Sequence, residues 1–480
     1  MKTAAEYIDS LRGLRREAYV LGEQVDDFLD HPILRPSLNA LAKTYELAWD
    51  PKHRDLLVRR GEEGSKINLF TSIHKSTEDL IDKVRALRLL GQATGCCFQR
   101  CVGWDALNTL SSVTYEMDQA NGTEYNRRFK DYLVYVQRND LVCNGAMTDV
   151  KGDRSKRPHQ QADPDMYLHV VERSADGVIV RGAKAHQTGA VFSHEIIVMP
   201  TLAMRPEDKD YAISFAIPSD SPGILHIVGR QSCDARKLEG VLLDLGNAQF
   251  GGHEALVVFD DVFVPHERVF MDGETEFSGM LVERFGAYHR QSYGGCKVGV
   301  GDVLIGAAAA AAEANGVENA SHIKRKLAEM IHLNETLYCC GLACSLRGTR
   351  TAAGAYLVDV LLANVCKQNV TRFPYEIARL AEDIAGGLMV TLPSEKDFRH
   401  PKVGPYLEKY LQGAQPTATV DRVAMLRLIE NLTLGTAAVA YRTESMHGAG
   451  SPEAQVIMIG RHADVEQKKR LARALAGIST

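Results

Sequence analysis

The sequence predicts an α+β protein in which a β-rich middle part lies between two helical parts. Three observations predict this order: apolar residues at helical spacing in the first part, short strand-like runs separated by Asp, Pro and Gly in the middle, and long alanine- and leucine-rich stretches at the end. A chain of 480 residues is long enough for two or three domains. We expect an N-terminal helical domain over 1–135, a middle β domain over 136–275 and a C-terminal helical-bundle domain over 276–480.

The first part is predicted to be helical because its apolar residues recur every three or four positions. This spacing is regular between Ile81 and Leu90, and we expect the helical pattern to continue toward Cys97 and Cys101. Residues four positions apart lie on one face of a helix. The two cysteines are therefore predicted to project side by side.

The middle part carries a strand–turn–strand signature. A strand-like run from Met166 is followed by an Asp176-Gly177 turn and by a second run from Val178. Similar short runs recur at Glu195–Met199, Tyr211–Ile217, Gly223–Val228 and Ala255–Phe259. Short strands separated by turn residues predict a β-barrel or a β-sandwich.

Helical periodicity returns from Ser278 onward. The longest alanine- and leucine-rich stretches lie at 303–314, 323–345 and 354–390. Helices of such lengths predict a helical bundle.

Charge and apolar content exclude several functional classes. The 56 Lys and Arg nearly balance 61 Asp and Glu, giving a net charge of −5 without a strongly basic segment, so nucleic acid is not an expected partner. The first residues lack the apolar core of a signal peptide, and the longest small and apolar run, 303–312, is too short to span a membrane. Ten cysteines without a secretion signal are expected to be reduced. We therefore expect a cytoplasmic protein without membrane contacts.

Two short segments combine soft metal ligands at helical spacing. Cys97 and Cys101 are four residues apart, and His289 and Cys296 are seven apart, so each pair is predicted to lie on one helix face. Three thiolates and one imidazole are enough to hold an iron–sulfur cluster with one chemically distinct iron. Such an iron can exchange its protein ligand for a substrate oxygen, which suggests more than electron storage.

Spacing alone does not select these ligands. Cys340 and Cys344 have the same separation, but their Leu, Ala and Tyr neighbours favour buried thiols that act as small hydrophobic side chains. The first cysteine pair instead encloses the polar Gln99 and Arg100. This more polar setting favours a ligand role for the first pair.

Gly294 and Gly295 directly precede Cys296. Two glycines would let backbone amides approach the sulfur atoms of a cluster and tune its potential. Glycines also lower helix propensity, so the shared face of His289 and Cys296 depends on a helix that continues through them.

Longer motifs identify a family. The stretch Gly286–Asp302 runs Gly-Ala-Tyr-His-Arg-Gln-Ser-Tyr-Gly-Gly-Cys-Lys-Val-Gly-Val-Gly-Asp. Further motifs are Gly145-Ala-Met-Thr-Asp149, Ala183-Lys-Ala-His-Gln-Thr-Gly189, Ala381-Glu-Asp-Ile-Ala-Gly-Gly387 and Tyr441-Arg-Thr-Glu-Ser-Met-His-Gly-Ala-Gly-Ser-Pro452. With these motifs the chain resembles the 4-hydroxybutyryl-CoA dehydratase/vinylacetyl-CoA Δ-isomerase family over essentially its whole length. This family shares an acyl-CoA-dehydrogenase-like fold with flavin-dependent 4-hydroxyphenylacetate 3-monooxygenases. The resemblance implies that fold here, with the middle domain as a β-barrel.

The resemblance also implies two cofactors. Cys97, Cys101, His289 and Cys296 would hold a [4Fe–4S] cluster, which the related monooxygenases lack. FAD would be held by the β domain and by C-terminal helices, including those of a neighbouring subunit. The implied FAD positions are Met147, Thr148, Arg154, Gln187, Thr188, Gly189, Gly386 and Gly387. The basic run 151–157 is a candidate for contact with CoA or flavin phosphates and equally a candidate for a solvated loop.

Several other positions match family residues in or near the active site. They are Gln99, Thr188, Glu254, Tyr293, Lys297 and Glu444. His253 departs from the family pattern, in which glutamine is expected. Without the resemblance, Glu254 would more often be a surface carboxylate and Glu444 a member of a structural ion pair.

The implied reaction is a radical dehydration of 4-hydroxybutyryl-CoA to crotonyl-CoA, with isomerisation of vinylacetyl-CoA as a second activity. The thioester acidifies the C2 proton but not the C3 hydrogen, and general acid–base catalysis supplies only about 10²–10⁴-fold. A flavin can take one electron from the C2 enolate and return it later, which acidifies the C3 hydrogen without net redox change. The distinct iron can act as a Lewis acid on the C4 oxygen.

The base that removes the C2 proton is left open by the sequence. His289 can detach from iron, and its ordinary pKa of about 6.5 suits proton transfer near neutral pH. Alternatively His289 stays on iron and Glu254 or Glu444 moves the proton. Tyr293 can donate a hydrogen bond or proton near the flavin, and Lys297 can stabilise developing negative charge.

Two other functions compete with the dehydratase. A flavin-dependent aromatic hydroxylase would need no cluster, so the complete ligand quartet argues against it. An iron–sulfur redox sensor gives no reason for a long flavin-type β domain. For the dehydratase, the resemblance implies an acyl-CoA substrate and a homotetramer with cofactors near the subunit contacts.

Overall fold

The computed structural model describes residues 1–478. Its helices are α1 (Ala4–Leu11), α2 (Arg35–Trp49), α3 (Arg54–Leu57), α4 (Thr77–Thr94), α5 (Cys101–Asn121), α6 (Tyr125–Arg138), α7 (Leu245–Gln249), α8 (Thr275–Ala314), α9 (Ser321–Leu346), α10 (Val360–Val370), α11 (Phe373–Ala385), α12 (Glu395–Arg399), α13 (Gly404–Tyr410), α14 (Thr419–Thr433), α15 (Thr436–Ala438), α16 (Glu444–His447), α17 (Pro452–His462) and α18 (Val465–Leu475). Its strands are β1 (Glu17–Val20), β2 (Glu23–Gln24), β3 (Val58–Arg60), β4 (Lys66–Asn68), β5 (Cys143–Ala146), β6 (His169–Arg173), β7 (Gly177–Thr188), β8 (Glu195–Val198), β9 (Ile213–Pro218), β10 (Ile224–Val228), β11 (Glu254–Pro265), β12 (Val269–Asp272), β13 (Thr349–Arg350) and β14 (Tyr356–Leu357).

Helix α4 confirms the helix predicted in the first part, but it ends before the cysteines. The side chain of Ser76 caps its N-terminus by accepting a hydrogen bond from the Asp79 amide, and Gly95 ends it in the left-handed conformation. Cys97 lies in the link that follows, and Cys101 begins α5. The prediction that both cysteines lie on one helix face is therefore wrong, because Gly95 ends the helix before Cys97 and Gln99, between the two cysteines, has a left-handed φ of 65°.

The middle of the chain forms two open sheets rather than the predicted β-barrel. A six-stranded sheet has the order β2-β1-β10-β11-β7-β6, and a four-stranded sheet has the order β12-β9-β8-β5. Both contribute to one core, in which Phe215 of β9 meets Phe259 of β11 edge to face at 6.1 Å. Within the described chain no strand ladder closes these sheets into a cylinder. In barrels and sandwiches alike, side chains along each strand alternate between the core and the outside, so the sequence pattern could not distinguish the two folds.

The individual strand predictions in the middle part are confirmed. The Asp176-Gly177 turn joins β6 to β7, and the four later runs correspond to β8, β9, β10 and β11. One strand of the larger sheet comes from the first part of the chain, because β1 pairs in parallel with β10. The domain limits at 135 and 275 stay predictions.

Helix α8 is the central helix of the C-terminal part. It is 40 residues long and packs against α4, α9, α10, α11 and α14. It continues through Gly294 and Gly295, so His289 and Cys296 share one helix, as predicted. A Cβ atom at Gly295 would lie 2.5 Å from the carbonyl oxygen of Val84 in α4, and Gly294 faces α9 equally closely. The glycines therefore allow close helix packing, and the approach of their amides to a cluster stays a prediction.

Two apolar stretches, Thr275–Ala314 and Thr419–His447, are long and apolar enough to cross a membrane. In each of them, 67% of the most apolar window is buried inside the protein. Core helices of globular proteins pass the same test of length and composition, so these two stretches do not by themselves indicate a membrane span.

Candidate active site

Three of the four predicted cluster ligands line one small cavity. Cys97 reaches it from the link between α4 and α5, Cys101 from the first residue of α5, and Cys296 from α8. The other lining residues are Cys96, Phe98, Lys297, Val300, Ala440 and Tyr441. The fold thus brings together cysteines from two distant segments of the chain.

The link that carries Cys97 depends on left-handed backbone conformations. Gly95 has a φ of 60°, Gln99 a φ of 65°, and Gly189 at the end of β7 a φ of 73°. A Cβ atom at Gly189 would lie 2.7 Å from the Cβ of Gln99. Glycine at this position therefore lets the end of β7, with Thr188, approach the cysteine link.

His253 supports the cysteine link through a directed chain of hydrogen bonds. Its Nε2 accepts from the backbone N–H of Val191 at 3.1 Å, so Nδ1 carries the ring proton and donates it to Oγ of Ser37 at 2.5 Å. Ser37 donates in turn to Oε1 of Gln99 at 2.7 Å. The residue that departs from the family pattern therefore helps to position Gln99.

His289 is oriented by a carboxylate that sequence analysis missed. Its Nδ1 lies 2.8 Å from Oδ2 of Asp105, which follows Cys101 by one turn of α5. Phe285 stacks against the imidazole at 5.5 Å, and Tyr293 meets it edge-on at 5.0 Å. The signal that could have revealed Asp105 is its spacing of four residues from a predicted ligand.

Burial favours the protonated, neutral form of the three thiols. It raises the pKa of Cys97 and Cys101 well above the usual range and that of Cys296 to about 11. The charge of Glu444 acts in the same direction on Cys97 and Cys296. These thiols therefore keep their protons unless a positive centre between them stabilises the thiolates.

The thiols do not form a site for one metal ion. Within residues 1–478, no three His, Cys, Asp or Glu side chains converge to hold a single ion. A four-iron cluster has a different requirement, because each iron takes its own protein ligand and the ligands surround a wider space. The cavity between the three thiols offers the soft donor set of such a cluster.

Glu254 and Glu444 form a carboxyl pair with opposite protonation preferences. Burial and the charge of Glu444 raise the pKa of Glu254 well above its usual value. Burial also disfavours charge on Glu444, but Lys297 and a hydrogen bond with Glu254 outweigh it and lower the pKa of Glu444. Lys297 Nζ donates to Glu444 Oε2 at 3.0 Å, and Thr188 Oγ1 donates to Glu254 Oε2 at 2.7 Å. The pair therefore carries one proton and one negative charge near neutral pH.

A π-helical turn, Val439–Thr443, leads directly into Glu444. The carbonyl of Ala440 in this turn accepts a hydrogen bond from Lys297. π-Turns inside helices are frequent at functional sites because they redirect a side chain. Here the turn and Lys297 together fix the carboxylate of Glu444.

Lys367 of α10 is a second site residue that sequence analysis missed. Its Nζ donates to the carbonyl oxygen of Ser445 at 2.6 Å and lies 5.2 Å from the ring centre of Tyr293. Lys297 lies 5.1 Å from the same ring centre. Burial, together with the charges of Lys297 and Arg290, lowers the pKa of Lys367 to about 7. A lysine on the buried face of a helix is the sequence signal that would have found it.

The predicted FAD positions fall into two groups. Met147 and Thr148 lie beside the end of β7, because the Thr148 carbonyl accepts a hydrogen bond from the Ala185 amide at 2.8 Å. Gln187, Thr188 and Gly189 form that strand end and its glycine turn. Arg154 lies in the exposed loop after β5, and Gly386 and Gly387 are exposed after α11. Nothing in the described chain lies within 4 Å of a Cβ built at either of these two glycines, so both face open space, and their role in FAD binding stays a prediction.

Comparison with known proteins places this arrangement in a family. The family models described as 4-hydroxyphenylacetate 3-hydroxylase N terminal and C terminal match residues 3–271 and 278–477. The 4-hydroxybutyryl-CoA dehydratase/vinylacetyl-CoA-Δ-isomerase of Clostridium aminobutyricum is 59% identical, over 100% of both chains.

Solved structures agree with the sequence comparison. An oxygen-tolerant archaeal 4-hydroxybutyryl-CoA dehydratase from N. maritimus is similar with a TM-score of 0.98 and 55% identity, over 100% of this chain and 95% of that one. The oxygenase component of 4-hydroxyphenylacetate 3-monooxygenase in complex with FAD has a TM-score of 0.88 and 26% identity, over 99% and 98% of the two chains. The chain belongs to the 4-hydroxyphenylacetate 3-hydroxylase family and, within it, to the 4-hydroxybutyryl-CoA dehydratase/vinylacetyl-CoA Δ-isomerases.

Proposed function

We propose that this protein converts 4-hydroxybutyryl-CoA to crotonyl-CoA and water by a radical route, and that it isomerises vinylacetyl-CoA to crotonyl-CoA. The observation that carries the proposal is the 59% identity to the clostridial enzyme over the full length of both chains. The carboxyl pair beside the cysteine-lined cavity supports it. Both reactions remove a proton from C2 and add one at C4, so one site can serve both.

The residues around the cavity fit an iron–sulfur cluster. Cys97, Cys101 and Cys296 would each bind one iron, and His289 would bind the fourth. When bound, the cluster supplies a Lewis-acidic iron for the C4 oxygen of the substrate. The donor set supports this assignment, because three buried thiols from two distant segments line one cavity, and a positive centre there would stabilise their thiolate forms.

The end of β7 fits a flavin. Met147, Thr148, Gln187, Thr188 and Gly189 would hold FAD, with Arg154 at the rim and Gly386 and Gly387 of a neighbouring subunit completing the site. Oε1 of Gln187 and Oδ1 of the nearby Asn144 are buried without a hydrogen-bond donor in the described chain, as expected for acceptors that face a bound group. When bound, FAD supplies reversible one-electron transfer.

The carboxyl pair can serve the two proton transfers that the dehydration and the isomerisation share, loss from C2 and gain at C4. Glu444, with its lowered pKa and its contact to Lys297, is the proposed base for the C2 proton. Glu254, with its raised pKa, is the proposed acid that delivers a proton to C4. Lys297 stabilises the negative charge that develops, and the buried hydroxyl of Tyr293 stays protonated as a hydrogen-bond donor because burial raises its pKa. His289 is the alternative base if it detaches from iron.

Iron, sulfide and FAD content, measured on one anaerobically purified sample with its turnover of 4-hydroxybutyryl-CoA, tests the proposal. We expect about four irons and one FAD per chain together with formation of crotonyl-CoA. FAD without iron and without turnover would favour the competing aromatic hydroxylase, whose relative binds FAD. That outcome would leave the cysteine quartet without a role.

We also propose a cytoplasmic homotetramer. Helices α17 and α18 expose apolar side chains, including Val456, Ile457, Leu471 and Leu475, which a partner subunit would cover. The two predicted FAD glycines are exposed and face open space in a single chain, which leaves room for a cofactor held between subunits. Light scattering of the FAD-loaded protein should give the mass of four chains, and a monomeric mass would contradict the assembly.

A further inference from the structure

A buried charge network connects the helices that carry the proposed cluster ligands. The side chains of Asp105 in α5 and Lys83 in α4 are completely buried, and Lys83 donates to Oδ1 of Asp105. Oδ2 of Asp105 accepts from Nδ1 of His289 at 2.8 Å and from Oγ of Ser292 at 3.1 Å. Three donors from two other helices hold this carboxylate in one orientation.

The network fixes which ring nitrogen of His289 carries the proton. A carboxylate that is paired with an ammonium group can only accept hydrogen bonds, so Nδ1 of His289 must be the donor. Nε2, on the other side of the ring, is then left with the lone pair that a metal ligand needs. Metal-bound histidines generally donate their second ring nitrogen to a carboxylate, a carbonyl or water.

The carboxylate of Asp105 also lies close in the fold to two of the proposed cysteine ligands. Asp105 follows Cys101 by four residues, so both side chains project from one face of α5. Ser292, which donates to the same carboxylate, lies on α8 four residues before Cys296. One carboxylate therefore links the helix face that carries Cys101 to the part of α8 that carries His289 and Cys296.

We propose that Asp105 is a positioning residue that presents Nε2 of His289 to the cluster, and that Lys83 holds the carboxylate in the orientation this requires. The inference rests on the proposed function, because it requires the cluster. Because of Lys83, an asparagine amide at position 105 could not replace the carboxylate as the acceptor for Nδ1 of His289. In Asp105→Asn, the amide oxygen would face the ammonium group and the NH₂ would face His289, which would force Nδ1 to accept and place the proton on Nε2.

The wild-type holoenzyme provides the first test. Protein containing histidine labelled with ¹⁵N only at the ε2 position would be purified anaerobically and studied by pulsed EPR in a paramagnetic state of the cluster. We expect a ¹⁵N hyperfine coupling to the cluster, and no coupling of that size from protein labelled only at δ1. Coupling through Nδ1 would overturn the inference, because that nitrogen is assigned to Asp105.

Variants provide the second test. Asp105→Asn should lose the Nε2 coupling while FAD remains bound, and Lys83→Met/Asp105→Asn should regain it because the amide can then turn its oxygen to His289. Asp302→Asn is the matched control, since it breaks the ion pair of Asp302 with Arg88 between α4 and α8 without touching His289. Undiminished coupling in Asp105→Asn, or a folded double variant without coupling, would overturn the inference. If Asp105→Asn does not fold, the couplings measured in the double variant and in the labelled wild type still test whether Asp105 positions Nε2 of His289. A wild type without a cluster would instead refute the proposed cofactor.

Discussion

Replacing Gly295 with alanine tests whether close packing of α8 against α4 sets the geometry of the site. The new Cβ would lie 2.5 Å from the carbonyl oxygen of Val84 and 2.9 Å from the Cβ of Leu87. Non-bonded heavy atoms attract best at about 3.5–4.0 Å, so the two helices must separate by about 1 Å at this point. Because Cys296 is the next residue, the separation should move a proposed cluster ligand.

Gly306 offers a matched control on the same helix, because no atom of residues 1–478 lies within 4 Å of a Cβ built there. Both substitutions gain about 1 kcal/mol of helix propensity. Only Gly295→Ala overpacks the contact with α4, at a cost of about 1–3 kcal/mol. The difference in free energy of unfolding between the two variants should therefore be about 1–3 kcal/mol, with Gly306→Ala the more stable.

Activity should separate the two variants further. A displacement of about 1 Å in catalytic geometry can cost about 10²-fold in rate. Denaturant unfolding, iron content and turnover of 4-hydroxybutyryl-CoA would be measured for the wild type and both variants. The reasoning would be refuted by a Gly295→Ala protein that is as stable and as active as Gly306→Ala.

Three further predictions concern single side chains. Cys296→Ala should lose iron and dehydratase activity together, and turnover by the iron-free protein would contradict the ligand assignment. Glu254→Gln can still accept the hydrogen bond from Thr188 but cannot deliver a proton, so turnover should fall by about 10²–10⁴-fold at unchanged FAD content; a loss below about tenfold would exclude Glu254 as the acid. Burial and Lys297 lower the pKa of Lys367 to about 7 from 10.5, so above pH 7 the unfolded chain binds more protons than the folded one. The free energy of unfolding of the wild type should therefore rise with pH, by up to about 1.4 kcal/mol per unit between pH 7 and 9 relative to Lys367→Met. If the free energies of unfolding of the wild type and Lys367→Met change with pH in parallel, Lys367 does not titrate in this range.

Local signals were enough to predict most strands and the long helices. The Asp176-Gly177 turn and the short runs that became β8 to β11 depend on neighbouring residues alone. Closure of a barrel depends on which sheet edges pair, and no local pattern records that choice. The break between Cys97 and Cys101 depends on the left-handed conformations of Gly95 and Gln99, and glutamine rarely adopts this conformation.

Buried charges were the main omission at the site. The sequence does not reveal the partners of Lys83, Asp105 and Lys367, because each finds its partner on another segment. Lys83 does carry a usable signal, since it lies on the buried face of α4 together with Leu80 and Leu87. A charged residue that interrupts an apolar face requires a buried partner. Naming that partner requires the packed structure.

The proposed chemistry needs soft ligands for iron and carboxyl groups for protons beside the same substrate, and α8 supplies both. Cys296 faces the thiol-lined cavity, and the next residue, Lys297, binds Glu444. Successive residues on an α-helix project about 100° apart, so one turn can serve the two groups at once. This works only if the helix continues through the glycines that precede Cys296, and close contact with α4 and α9 stabilises it there. The glycine pair that weakens the helix in isolation is therefore what couples the proposed cluster to the proton-transfer groups.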